Sequence, residues 1–213
     1  MMTPIRVMLV DDHAVVRAGY QFLLENVEDV VVVAEASSGE EAVKRFPEVM
    51  PDVLVMDLSM PGIGGIEAIR QVLELHGDAK ILVFSMHENS TFVDHALQAG
   101  VSGYISKNSS PDVLLTAIRK LASGHVYIDS ELAQSLVIQK SKDKGSLLSS
   151  LSTRELQILC MFAEAQSIEA IAAALSLSMK TIANYITQIK EKLQVSTGPE
   201  LVRLAISQGL VTI

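Results

Sequence analysis

Alternation dominates the first 125 residues. Short runs rich in Val, Ile and Leu ("IRVMLV" 5–10, "VVVVAE" 30–35, "VLVMD" 53–57, "KILVFS" 80–85, "GYISK" 103–107) are separated by longer helical patterns. The runs are apolar nearly throughout, as in strands covered on both faces, whereas a half-solvated strand alternates apolar with polar. Five such strands with five helices predict a doubly wound α/β domain, a five-stranded parallel sheet with helices on both faces. The punctuation agrees. Ser38 and Glu41 stand at capping-box spacing, Gly100 and Gly124 sit where helix C-caps belong, and Ser110-Pro111 suits an N-cap and first helical position.

In such sheets, sites form beyond the carboxyl ends of the strands. The residues there are Asp11 and Asp12 after the first strand, Asp57 after the third, Ser85 at the end of the fourth and Lys107 after the fifth. A single acid at a strand end is commonplace; an acid pair, an acid, a hydroxyl and a lysine on one edge are not. Three carboxylates this close repel one another. A divalent cation relieves the repulsion, and an all-oxygen set favours Mg²⁺ over softer metals. Asp57 is then placed as a nucleophile toward a phosphoryl group, with Lys107 and the Ser85 hydroxyl to stabilise phosphoryl oxygens. His13 and His87 read as loop residues near the mouth of the site, since Mg²⁺ prefers oxygen.

The motifs "LVDDH", "VMDLSMPG", "FSMH" and "GYISK" occur in the order and approximate spacing of a two-component response regulator's receiver domain, which residues 4–124 resemble. The resemblance implies that Asp57 is the phosphoacceptor and that a sensor histidine kinase is the donor. It also implies that Asp11, Asp12, Asp57 and the backbone carbonyl of Ser59 hold Mg²⁺, that Lys107 contacts the phosphoryl group, and that Ser85 and Tyr104 form a switch pair. In that switch, Ser85 is drawn toward the phosphoryl group and Tyr104 follows into the vacated space. Asn108 stands where many receivers have proline.

From about Ser141 the pattern changes. "SKDKGSLLSS" is small, polar and glycine-containing, and no strand pattern follows it. Helical segments are expected at about 153–165, 168–174, 179–193 and 199–208, the first opened by a Ser152/Glu155 capping box and the third capped by Ser178. The predicted organisation is a domain at 1–126, a linker at 127–148 and an all-α four-helix domain at 149–213. On the third helix, Ile182, Ile186, Ile189 and Leu193 make a core face. Lys180, Thr181, Asn184, Thr187, Gln188 and Lys190 fall opposite, with amides suited to adenine edges and lysines to phosphate or guanine. "LSTRE", "IAAALSLSMKTI" and "IKEKLQV" resemble the helix-turn-helix output domain of NarL/FixJ (LuxR-type) regulators over residues 151–210. The resemblance implies that the helix from Met179 enters the major groove of double-stranded DNA. It also implies a homodimer when phosphorylated. Leu201, Leu204 and Ala205 are candidates either for the dimer contact or for closing the four-helix core.

Composition bounds the alternatives. The 213 residues carry a net charge of −8. Residues 1–140 hold 10 Lys/Arg against 19 Asp/Glu, whereas residues 151–213 hold 5 against 5, so the second domain is neutral. Neutrality leaves open a helical domain that binds protein instead of DNA. An aspartyl-phosphate phosphotransferase or phosphatase is a further alternative. Enzymes of the haloacid-dehalogenase type place an acid two residues past the nucleophile, where this chain has Ser59. The expectation is a regulator and not an enzyme. The single cysteine, Cys160, permits no internal disulfide, no apolar run reaches the length of a membrane span, and "MMTPIR" lacks a signal-peptide layout. A soluble, cytoplasmic protein is expected.

Overall fold

The computed structural model describes residues 3–142 and 147–211. Residues 143–146, part of the expected linker, lie outside the described residues. The chain divides into two compact units, with the change along the chain at Leu136/Val137.

The first unit alternates β1 (Ile5–Val10), α1 (Ala14–Glu25), β2 (Val30–Ala36), α2 (Gly39–Val49), β3 (Val53–Met56), α3 (Gly64–Leu75), β4 (Ile81–Ser85), α4 (Ser90–Ala99), β5 (Gly103–Ser106) and α5 (Pro111–Ala122). The strands lie in the order β2-β1-β3-β4-β5-β6, and every neighbouring pair is parallel. The sheet thus has six strands, not the expected five. The sixth, β6 (Tyr127–Ile128), pairs with Gly103 and Tyr104 of β5. Two residues cannot display a two-residue period, so this strand leaves no periodic signature. It is followed by α6 (Ser130–Lys142), so the stretch read as a linker begins with regular structure.

The pleat divides the apolar runs between two faces. Val7, Leu9, Val53, Val55, Leu82, Phe84 and Ile105 are buried with Leu24 of α1 and with Leu114, Ala117, Ile118 and Leu121 of α5. The intervening Met8, Val10, Leu54, Met56, Ile81 and Val83 are buried as well. Both faces are therefore dry, which is why these strands read as continuous apolar runs. Cap chemistry bounds the helices. Ser38 Oγ accepts from Glu41 N–H, but the Glu41 carboxylate turns to Ser37, so only half of the expected capping box forms. Pro111 occupies the first turn of α5, and Gly100 and Gly124 take left-handed φ of 99° and 82° just past their helices.

The second unit contains a 3₁₀ turn (Leu147–Ser150), α7 (Thr153–Ala163), α8 (Ile168–Ala174), α9 (Met179–Lys192) and α10 (Gly198–Ser207). Ser152 and Glu155 form a complete capping box at α7, as Thr197 and Glu200 do at α10. Leu148, Leu156, Ile158, Leu159, Ile171, Ile182, Ile189 and Leu201 are all buried in this unit. Leu201 and Ala205 are fully buried where α10 packs on α7, so of the two roles read for them they close the core. A side chain already buried within its own unit has no surface to offer a second copy; of the three residues, Leu204 alone is half-buried.

Candidate functional site

The ladder itself delivers the polar residues to the sheet edge. Asp11, Asp57 and Lys107 are each the first residue beyond a strand, and each amide still bonds the neighbouring strand: Asp11 to Ala36 O, Asp57 to Val10 O and Lys107 to Ser85 O. Their backbones are therefore as fixed as the sheet. The opposite wall is equally rigid. A Cβ on Gly65, at the start of α3, would lie 2.1 Å from the carbonyl oxygen of Asp57. Glycine is required there by close approach and not by a turn.

Three expected residues meet directly. Lys107 Nζ donates to Asp11 Oδ2 at 2.6 Å and to Asp57 Oδ2 at 2.8 Å, and all three side chains are less than a tenth exposed. Burial works against the Lys107 charge, but Asp57 and Asp11 outweigh it and hold the ammonium above its usual range. Burial pushes the Asp12 carboxyl upward, opposed by His13 and reinforced by Asp57 and Asp11. Asp12 Oδ1 lies 3.1 Å from His13 Nδ1, an ion-pair distance. No hydrogen bond from the described residues reaches this buried oxygen.

Asp11, Asp12, His13 and Asp57 can each offer an atom within 4.8 Å of all the others. Three carboxylates, one with an unsatisfied buried oxygen, fit a hard divalent cation such as Mg²⁺. His13 joins this cluster through Nδ1, although its side chain is 63% exposed. Ser59 N–H donates to Asp57 Oδ1 at 3.3 Å, so the backbone at Ser59 turns back onto the site.

Ser85 is fully buried at the end of β4, and its Oγ accepts from His87 N–H at 3.3 Å. Tyr104 is fully enclosed, and its hydroxyl donates to the His87 carbonyl at 2.6 Å. Burial drives that phenol well above the usual tyrosine range. The ring therefore already fills the interior that the switch reading has it entering. His87 is more deeply engaged than a residue at the mouth. Its Nε2 lies 2.8 Å from Ser59 Oγ, and burial lowers its imidazole below the ordinary value, with Asp57 acting against the shift. Sequence reasoning missed this pair because its partners are 28 residues apart, on two loops that share no periodic pattern.

In the second unit, α8 and α9 are joined by a tight turn in which Ser176 takes φ 54° and Ser178 Oγ accepts from Thr181 N–H. Ile182, Ile186, Ile189 and Leu193 are buried, as their spacing requires. Lys180, Asn184, Thr187 and Gln188 are exposed. Thr181 and Lys190 are half-buried, and the Thr181 hydroxyl is 2.8 Å from that of Ser178. Lys192, also on α9, is tied to the buried Glu155 at 2.7 Å.

Residues 7–119 match the family model of the response regulator receiver domain, and residues 149–205 match that of the bacterial regulatory proteins of the luxR family. The chain is 41% identical to the response regulator UvrY of Escherichia coli over 208 residues, which cover 97% of this chain and 95% of that protein. It is 40% identical to the response regulator GacA of Pseudomonas viridiflava over 209 residues, with 97% and 98% covered. Among solved structures, RcsB of Salmonella enterica serovar Typhimurium, bound to a promoter in the presence of the phosphomimetic BeF₃⁻, matches with TM-score 0.68 and 28% identity over 96% of this chain and all of that one. A LuxR-family two-component response regulator from Aurantimonas sp. matches with TM-score 0.63 and 42% identity over 65% of this chain and 99% of that one. Fold and similarity together define a two-unit protein of the receiver-plus-effector class. The chain belongs to the two-component response regulators that join a receiver domain to a LuxR-type helix-turn-helix domain. No helix among the described residues is long and apolar enough to cross a membrane.

Proposed function

We propose that Asp57 accepts a phosphoryl group from a sensor histidine kinase or a small acyl phosphate, and that its phosphorylation state controls double-stranded DNA binding through α9. The observation that carries this reading is the Lys107 ammonium held between the Asp11 and Asp57 carboxylates at 2.6 and 2.8 Å. In the transfer, an Asp57 carboxylate oxygen attacks phosphorus while the bond to the donor's nitrogen or oxygen breaks. Lys107 stabilises the negative oxygens, and Ser85 offers a hydroxyl to one of them. Asp11, Asp12, Asp57 and the Ser59 carbonyl would hold Mg²⁺, which supplies neutralisation of phosphoryl charge. The new charge, about −1.5 to −2, arises beside Ser85 and the Tyr104–His87 bond, which makes that pair the candidate switch. Ser59, two residues past Asp57, stands where enzymes of the haloacid-dehalogenase type carry an acid, which supports a regulator over an enzyme.

Support for the DNA arm comes from the exposed Lys180, Asn184, Thr187 and Gln188 of α9, and from the RcsB relative, whose structure is a promoter complex. Thr181 and Lys190 flank that face. Dimerisation of the phosphorylated chain would place two copies of α9 on half-sites about one DNA turn apart.

Incubation with acetyl phosphate and Mg²⁺ should add one phosphoryl mass to the wild type and none to Asp57→Asn, as read by intact-protein mass spectrometry. Equal labelling of both removes Asp57 from its role. Titration of duplex DNA at low salt, before and after phosphorylation, tests the second arm. No binding in either state gives precedence to a protein-binding effector unit.

A further inference from the structure

Lys107 does not reach Asp57 from an unsupported loop. The residue before it, Ser106, donates from Oγ to Glu88 Oε1 at 2.5 Å. The residue after it, Asn108, donates from Nδ2 to the same oxygen at 3.0 Å. Asn108 N–H closes the figure by donating to Ser106 Oγ at 3.0 Å. One carboxylate oxygen, on the loop after β4, thus grips both chain neighbours of the lysine on the loop after β5.

We propose that Glu88 is a positioning residue for phosphoryl transfer, a clasp that fixes the backbone from which Lys107 meets Asp57. The inference rests on Asp57 being the phosphoacceptor. Glu88 touches no reacting atom and acts only through the lysine. A lysine has four rotatable side-chain bonds, so the ammonium is only as well placed as its Cα, and that Cα lies one residue past the end of β5. Lys107 N–H fixes one side of its peptide on Ser85 O, and the clasp fixes the residues on both sides of it. The same loop is held elsewhere by Tyr104 through the His87 carbonyl, so the clasp acts on an already anchored segment. Glu88 is itself exposed and belongs to no apolar core, so its removal leaves the fold intact.

Two explanations of any Glu88 effect differ in a simple way. A clasp requires an acceptor oxygen, whereas electrostatic influence on the site requires the charge. Glutamine keeps the first and loses the second. The experiment uses the full-length chain as wild type, Glu88→Ala, Glu88→Gln and Asn108→Ala, with Asp57→Asn as the labelling control. Acetyl phosphate labelling is followed by intact mass at saturating Mg²⁺ over a range of donor concentrations, and Mg²⁺ affinity is titrated separately. Glu88→Ala is expected to lower the maximal labelling rate about tenfold, as a misplaced but present group does. Asn108→Ala should lose less, and Glu88→Gln should stay within about twofold of wild type. Mg²⁺ affinity should not fall in any of the four, because the clasp touches none of Asp11, Asp12, Asp57 or Ser59, and a loosened Lys107 only withdraws a competing positive charge from Asp11 and Asp57.

Glu88→Ala labelling at the wild-type rate overturns the clasp. So does Glu88→Gln as slow as Glu88→Ala, which assigns the effect to charge, or a parallel fall in Mg²⁺ affinity, which assigns it to general disruption. A wild type that labels no better than Asp57→Asn overturns the phosphoacceptor reading, and the clasp falls with it.

Discussion

Among the described residues, Glu155 is the charged residue most enclosed in the second unit, at 3% exposure, and it has two tasks. Its carboxylate accepts from Ser152 N–H at 2.7 Å as half of the α7 capping box and binds Lys192 of α9 at 2.7 Å. Burial favours the neutral acid, but the Lys192 and Ser152 bonds outweigh it, so the carboxyl stays below its ordinary value of 4.5. A carboxyl lowered by folding stabilises the native state fully above its unfolded value, and that stabilisation is lost as pH falls through the lower folded value. The protection factors of α7 and α9 amides against hydrogen exchange should therefore fall in the wild type below about pH 4.5. Glu155→Gln should abolish that acid-dependent component and cost about 1–2 kcal/mol at neutral pH, because a buried bond to a charged group is replaced by a neutral one. Exchange in the mutant that keeps the wild-type acid response would show that another group carries it.

At the scale of elements, α9 shows which parts of a helix face are available. Sequence spacing separates its core face correctly, because a 3.6-residue period is visible in the chain itself. It does not show that Thr181 belongs to the Ser178 cap or that Lys192 is engaged by a glutamate 37 residues away. Lys192 is thus engaged within the unit, which leaves Lys180 and Lys190 as the α9 cations toward DNA. Two per subunit, or about four in a dimer, give a slope of about −3.6 for log K against log salt. Lys180→Ala should reduce that slope by about 1.8 in the dimer and weaken specific and scrambled duplexes alike. Asn184→Ala and Gln188→Ala should leave the slope unchanged and narrow the gap between the two duplexes by about 1–3 kcal/mol each. Titrations of each variant on both duplexes at several salt concentrations separate the two kinds of contact. An unchanged gap in the amide mutants would remove them from sequence readout.

At the scale of the molecule, two kinds of information were legible to different degrees. Strand ends carrying Asp11, Asp57, Ser85 and Lys107 could be found because burial on both sheet faces makes each polar arrival conspicuous. The contrast between an acidic stretch at 1–140 and a neutral one at 151–213 could be read from charge alone. The six-strand order could not, because β6 is a two-residue strand within a polar neighbourhood. Nor could the bonds of Glu88 to Ser106 and Asn108, or of His87 to Ser59, which join loops 18 to 28 residues apart with no repeat to announce them. Tertiary geometry creates these contacts after the strands have been set side by side, so local sequence contains the partners but not the pairing. The same holds for Leu201 and Ala205, whose helical spacing fits an interface and a core equally well until α7 is seen to cover them.

The glycine packed against the backbone of Asp57 bears on how this protein tolerates change over generations. Any side chain at position 65 collides with the carbonyl oxygen of Asp57 and with Leu58 Cα, both of them backbone atoms with nowhere to yield. A residue with no chemistry of its own is thereby as constrained as the proposed phosphoacceptor beside it. In a saturation-mutagenesis map scored by acetyl phosphate labelling, position 65 should be as intolerant as position 57, and Gly65→Ala should already fail, although it adds a single methyl group. Wild-type labelling by Gly65→Ala would mean that the end of β3 can shift without disturbing the carboxylate. With Asp57 as the proposed phosphoacceptor, neutral drift along this strand end is blocked from two sides: at residue 57 by reactivity, and at residue 65 by the absence of room.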